Sequence, residues 1–251
     1  MTLLVRPPSA LGFGRNPPWR AQALKITALL AFTTFSIAVH ALDTTATGLN
    51  GKKSLEHFVK TAQSGRAMFT QVVTSPAKEG QAAKTKTSTG TFEFLRPNRF
   101  KFIYKKPFEQ SIVADGQTLW LYDVDLNQVT ARKLAQVLTG TPAAVIAAAA
   151  DLKGLQADFV LKELPASSGL QQVQATPKTK DGQLQSITLG FKSSDKLSDK
   201  VSELATLEIL DSFGQRSVMT FTGLETNPTS PTVTASSFAF TPPAGAAVSR
   251  P

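Results

Sequence analysis

The sequence contains no cysteine. That excludes a disulfide framework, a thiolate nucleophile, cysteine-based zinc sites and any anchor built on a lipid-modified cysteine. Histidine is nearly missing as well: there are two, and only His57 lies beyond residue 41. The chain carries no HExxH, no G-x-S-x-G, no P-loop and no G-x-G-x-x-G. Asp123 and Asp125 stand two apart in a turn, Asp115 occupies a β-turn, and turn chemistry accounts for all three. No apolar run reaches the roughly 20 residues that a membrane span needs. The sequence therefore predicts no catalytic residues, no metal site and no cofactor, and a protein that binds rather than turns over a substrate.

The N-terminus is an address. Arg15, Arg20 and Lys25 precede the apolar run "ITALLAFTTFSIAV", and "VHALD" follows with Val39 and Ala41 at the small-residue positions of a cleavage site. Export with cleavage after Ala41 leaves residues 42–251 as a single domain. The leader holds four bases (Arg6, Arg15, Arg20, Lys25) and no acid, so its removal takes the net charge from +9 to +5. An exported chain rarely meets nucleic acid, and none is expected as a partner. Lys84, Lys86, Lys101, Lys105 and Lys106 form a local basic cluster. It reads as a solvated surface, or as a docking patch for a protein or for anionic lipid headgroups.

After a polar stretch, "SLEHFVKTAQSG" predicts a short helix. Ser54 caps it, Leu55, Phe58, Val59 and Ala62 form one apolar stripe, and Gly65 ends it. "RAMFTQVVT" is a strand with Ala67, Phe69 and Gln71 on one face, and residues 76–90 read as a polar connection. From Thr91 onward the chain is a succession of alternating strands and turn signals, among them the Asp115-Gly116 hairpin in "SIVADGQTLWLYD" and a last strand in "SFAFTPP". "GTPAAVIAAAADLKG" interrupts them as a buried helix with Thr141 as its cap, Pro142 at its first position and Gly154 as its stop. Alternation of this kind describes an antiparallel sheet covered on one face. The expected architecture is mainly β: an incomplete, open barrel of about 10–11 strands, with two or three short helices as a lid over its concave apolar face.

In "TFEFLRPNRFKFIY" the aromatics fall on even positions, and Phe92, Phe94, Phe100 and Phe102 share a face wherever the alternation is kept. Trp120 and Tyr122, from the next hairpin, are expected to face the same interior. Such a surface is either plain core or the lining of a cavity. Arg96 sits in its middle, where an unpaired guanidinium cannot stay. Pro97 ends or bends the strand, which places Arg96 at the rim rather than deep among the phenylalanines.

The run "FLRPNRFKFIYKKPFEQSIVADGQTLWLYDVDLNQVT", a later helix opening Thr-Pro, and the terminal "FAFTPPAGAAV" resemble the outer-membrane lipoprotein carrier family, LolA, of Gram-negative bacteria. R-P-N-x-F, V-x-D-G-x-T-L-W-x-Y and F-x-F-x-P-P-x-G carry that resemblance together. It implies a periplasmic chaperone that takes triacylated lipoproteins from an inner-membrane lipoprotein-releasing ABC transporter. The carrier then passes them, as a monomer, to an outer-membrane receptor lipoprotein. It also implies that Arg96 pairs with backbone groups of a helical lid and holds it shut, and that Phe100 lies at the mouth of the apolar cavity. The residues expected in these places are Leu55, Phe58, Val59, Val145 and Ile146 on the lid helices, and Phe92, Phe94, Phe100, Phe102, Trp120 and Tyr122 lining the acyl-chain cavity. Departures from the family pattern are the small "AAVIAAAA" in the lid and the lysine-rich connection at 76–90. A paralogous carrier of another lipid or glycolipid, or a non-catalytic lipid-sensing module, has the same sequence features.

Overall fold

A computed structural model describes residues 50–77, 80–138, 152–179, 182–193 and 202–251. The expected leader, and Thr141, Pro142, Val145 and Ile146 of the expected lid, lie outside the described residues.

The first helix, α1 (Gly51–Thr61), begins four residues earlier than the serine cap predicts. Asn50 holds the N-cap position, and its side-chain oxygen accepts from the Lys53 amide at 2.9 Å. Ser54 is instead fully buried and receives a hydrogen bond from the Ser202 hydroxyl at 2.8 Å. The predicted stripe is correct: Leu55, Phe58, Val59 and Ala62 are all buried. The helix also stops before Gly65, because Ser64 already belongs to the sheet.

The strands follow as β1 (Ser64–Ser75), β2 (Lys84–Leu95), β3 (Arg99–Lys106), β4 (Gln110–Asp115), β5 (Thr118–Asp123) and β6 (Gln128–Lys133). Two short helices, α2 (Leu134–Leu138) and α3 (Leu152–Asp158), lead to β7 (Phe159–Ser167) and β8 (Leu170–Pro177). Then come β9 (Leu184–Ser193), β10 (Ser202–Asp211), β11 (Arg216–Thr226) and the three-residue β12 (Ala247–Ser249). Strand β2 starts at Lys84, so only the first part of the 76–90 stretch is a connection. Gly154 lies inside α3 and does not end it.

All twelve strands form one sheet, in the order β12-β6-β5-β4-β3-β2-β1-β11-β10-β9-β8-β7. Its two edges, β12 and β7, do not pair with each other, so the sheet is open. The pairs are antiparallel except β12 with β6. The sheet is also strongly curved. The Phe58 ring lies 6.0 Å from Phe94 on β2 and 6.1 Å from Phe191 on β9. Those strands are four places apart, which in a flat sheet would separate their side chains by about 19 Å. One ring reaches both because the sheet wraps around α1.

The C-terminal segment covers the opposite face, and here the sequence misleads. "SFAFTPP" alternates like a strand, but Ala235–Phe238 is a 3-10 helix. The Ser237 amide donates to the Thr234 carbonyl at 3.0 Å, and the Ser237 hydroxyl accepts from the Thr234 amide at 3.3 Å. Phe238 is fully buried with Val113 and Val233, while Phe240 packs on the Trp120 ring at 5.4 Å. Lys101 fastens this segment: its ammonium pairs with Glu93 at 2.8 Å and donates to the Ser237 carbonyl at 3.0 Å.

The hairpin between β4 and β5 is where the sequence predicts it, but its two loop residues are Gly116 and Gln117 rather than Asp115 and Gly116, because Asp115 still belongs to β4. Gly116 takes φ 105°, a conformation that favours glycine. Asp115 accepts from the Gln117 and Thr118 amides and from the Trp120 indole N–H, each at 2.8 Å. Burial pushes its carboxyl up, but those three hydrogen bonds and the Arg99 charge outweigh it and hold the pKa below the ordinary aspartate value. Asp115→Ala removes all three bonds and should cost about 1–3 kcal/mol of folding stability, read as a lower urea midpoint with unchanged slope.

Candidate functional site

The covered, concave face is a pile of rings. Register aligns Phe92 with Phe102 and Phe94 with Phe100 across β2 and β3, so all four point the same way and all four are buried. Phe92 is the hub: it stacks on Phe102 at 4.5 Å and on Phe94 at 5.7 Å, and tilts against Phe221 of β11 at 5.5 Å. Phe69 extends the pile along β1, edge-on to Phe102 at 5.7 Å and to Tyr104 at 5.1 Å. Leu55, Phe58 and Val59 of α1 belong to the same cluster, with Phe159, Ile187, Leu189 and Phe191 from the far side of the sheet.

Trp120 and Tyr122 are not in it. Val113 pairs with Trp120, and Lys101 with Val113, which puts both indole and lysine on the outer face. Tyr122 follows Trp120 there and meets Phe240 at 6.2 Å. The reason is the length of the turns. Three residues, Arg96 to Asn98, separate β2 from β3, and even positions stay in register with even positions. Two residues, Gly116 and Gln117, separate β4 from β5, so parity inverts and it is Leu119 that packs against the inner cluster. Of the six aromatics expected from sequence on one inner face, the four phenylalanines share it as packed core, and Trp120 and Tyr122 lie on the other side.

Arg96 lies at the turn where β2 ends, as the proline implies, yet it is not at a solvated rim. It is 7% exposed. Its guanidinium carbon sits 5.5 Å from the Phe58 ring and 5.7 Å from Phe94. Its Nε donates to the Ala62 carbonyl at the end of α1 at 2.9 Å, and its backbone amide to the Gln63 carbonyl at 2.8 Å. Burial draws its pKa down to about 10. A cation held against two ring faces and bonded to a helix-terminal carbonyl couples α1 to the aromatic strands.

Other residues tether α1, and the sequence reading missed them. Glu163 on β7 accepts from the Gly51 and Lys52 amides at 2.6 and 2.9 Å. Asn227, in a left-handed conformation at φ 50°, accepts from the Gln63 and Ser64 amides and donates to the Thr61 carbonyl. With the Ser54–Ser202 bond, these hold the helix at its start, middle and end. The motif alone points to Arg96; the tethers come from distant strands that no local pattern connects to α1.

Tyr104 marks where the aromatic pile gives way to polar surface. Burial raises its phenol to about 12 from a reference of 10.0. A group whose folded pKa is raised contributes stability below its unfolded pKa and loses it as pH climbs to the folded one, here between about 10 and 12. Arg96, with its lowered pKa, acts in the opposite sense over much of that window. Comparing wild type with Tyr104→Phe cancels that shared contribution. The phenylalanine variant should lose less stability between pH 9.5 and 11.5, measured as urea midpoints; equal losses would refute it.

Among the described residues no group of three or more His, Asp or Glu side chains is placed to hold a metal ion, and no helix is long and apolar enough to cross a membrane.

Residues 60–241 match the family model described as outer membrane lipoprotein carrier protein LolA. An outer-membrane lipoprotein carrier protein of Albidiferax ferrireducens is 63% identical over 87% of this chain and 98% of its own length. One of Leptothrix cholodnii is 50% identical over 79% of this chain and 85% of its own. A solved LolA superfamily protein from Nitrosomonas europaea aligns with 77% of this chain and 99% of its own at 12% identity and a TM-score of 0.44.

Proposed function

Because the chain belongs to the LolA family of outer membrane lipoprotein carrier proteins, we propose that its aromatic concavity receives the acyl chains of lipoproteins. The reading extends to the whole route: export to the periplasm, loading by an inner-membrane lipoprotein-releasing ABC transporter, and delivery to an outer-membrane receptor lipoprotein. The single observation that carries it is the buried sheet of phenylalanines closed by α1, with Arg96 between Phe58 and Phe94.

Acyl chains leave a bilayer at a cost of about 0.8 kcal/mol per methylene, so a three-chain anchor amounts to tens of kcal/mol. A carrier has to replace most of that apolar environment and still let go. Phe58, Phe92, Phe94 and Phe102 supply apolar area on the sheet side and the helix side at once. In the empty protein these rings fill the interior themselves, and cargo takes their mutual contacts. Such a cycle is binding and transfer, with the work of extraction done by the loading partner. Arg96 stabilises the empty, closed arrangement, and its charge-assisted bond is strong enough to favour closure yet weak enough to yield.

Purification of the native protein and mass spectrometry of what accompanies it tests this reading. Triacylated polypeptides in stoichiometric amount are the expected result. Free glycolipid or phospholipid in their place would instead establish a carrier of another lipid.

A further inference from the structure

Seven large apolar side chains stand exposed among the described residues, and four of them, Phe108, Val124, Leu126 and Phe213, sit on hairpin tips. The antiparallel register brings these tips to one end of the sheet. Ser75 pairs with Lys84 there, Tyr104 with Gln110, Gln110 with Asp123, and Thr74 with Arg216. Side chains connect the tips as well. Phe108 and Leu126 line one hollow of about 410 Å³, and the Lys86 ammonium lies 4.9 Å from the Phe108 ring centroid. Scattered apolar residues on a surface are ordinary; their concentration on adjacent tips is not. Phe108, Leu126 and Phe213 are 60%, 65% and 70% exposed.

The charge around them is uneven. Among the described residues Lys84, Lys86, Lys105 and Lys106 are exposed at this end, with Glu109 and Asp125 as exposed acids on the same tips. Asp123 and Asp211 are engaged in their turns, accepting from the Leu126 amide and from the Phe213 and Gln215 amides. Aromatic and aliphatic tips ringed by lysines match the two requirements of a membrane surface. The tips enter the boundary between headgroups and acyl chains, and the ammonium groups meet anionic headgroups. Arg96 and the end of α1 lie at the other end of the strands, clear of such a contact.

We propose that this end of the sheet is a docking edge for the surface of an anionic phospholipid bilayer. It is separate from the aromatic interior, and its test does not depend on what the interior carries. Contact is reversible, because a few apolar tips and lysines bind no more firmly than a single lipid anchor.

The native protein is mixed with phosphatidylcholine vesicles, with or without phosphatidylglycerol, and floated through a density gradient. Binding is expected to the anionic vesicles, much less to the neutral ones, and to weaken with added salt. Phe108→Asp with Leu126→Asp should weaken it about tenfold or more, and Lys105→Gln with Lys106→Gln by roughly fivefold per lysine. Both lysines are exposed, so their result stands even if the aspartate pair disturbs folding. Failure to float, equal binding to both vesicle types, or lysine variants that bind like wild type would overturn the proposal. So would a tip-dependent association with a membrane protein and no association with lipid alone.

Discussion

Replacing Arg96 with leucine is expected to leave cargo loading intact and to slow hand-off by about tenfold or more. The empty, closed protein has Arg96 bonded to the Ala62 carbonyl and laid against Phe58 and Phe94. Cargo, proposed to enter between α1 and the sheet, would have to break that arrangement. A hydrogen bond to a charged group contributes about 1.5–3 kcal/mol, and each 1.4 kcal/mol is a factor of ten in an equilibrium. Leucine removes that contribution from the empty state only, so cargo is held more tightly by the same factor. The fold itself should survive. Burial that draws the Arg96 pKa down to about 10 is a penalty the leucine does not carry, and it offsets part of the lost bond. The check is a transfer assay to the receptor beside a urea titration. Slow transfer with a little-changed midpoint is expected; normal transfer would remove Arg96 from the mechanism.

Phe92→Ala should be the most damaging single truncation to the empty protein. Phe92 is 2% exposed and touches rings on three strands. Phenylalanine-to-alanine changes at such sites cost about 3–5 kcal/mol, because the lost transfer energy is joined by a cavity that neighbours cannot refill. Here the cavity opens where acyl chains are proposed to lie. Cargo would fill it, so the loaded variant should recover a large part of the loss, and the gap between loaded and empty urea midpoints should widen relative to wild type. A gap no wider than wild type's would mean that cargo lies elsewhere.

Alternation and turn residues were legible enough to give the aromatic face, the stripe of α1, the Asp115 hairpin and an open, mainly β sheet with few helices. Three things were not. The inversion of parity between β4 and β5 moved Trp120 and Tyr122 to the outer face; counting the two turn residues against the three of the Arg96 turn was the signal that could have shown it. The C-terminal segment kept strand-like alternation while packing as a 3-10 helix and loop, because its phenylalanines fill pockets over Val113 and Trp120 rather than joining a ladder. The tethers of α1 come from Glu163, Ser202 and Asn227, residues more than a hundred positions away, and local pattern carries no information about such pairs. The motif and its awkward place point to Arg96; its depth, against two ring faces, depends on the packing of α1 onto the sheet.

The inner face, not the outer, is the one claimed to hold cargo, and a photoreactive side chain tests that directly. Benzoylphenylalanine placed at Phe102 should cross-link to the acyl chains of loaded lipoprotein on irradiation, while the same group at Trp120 should not. Cross-linking at Trp120 and none at Phe102 would contradict the account.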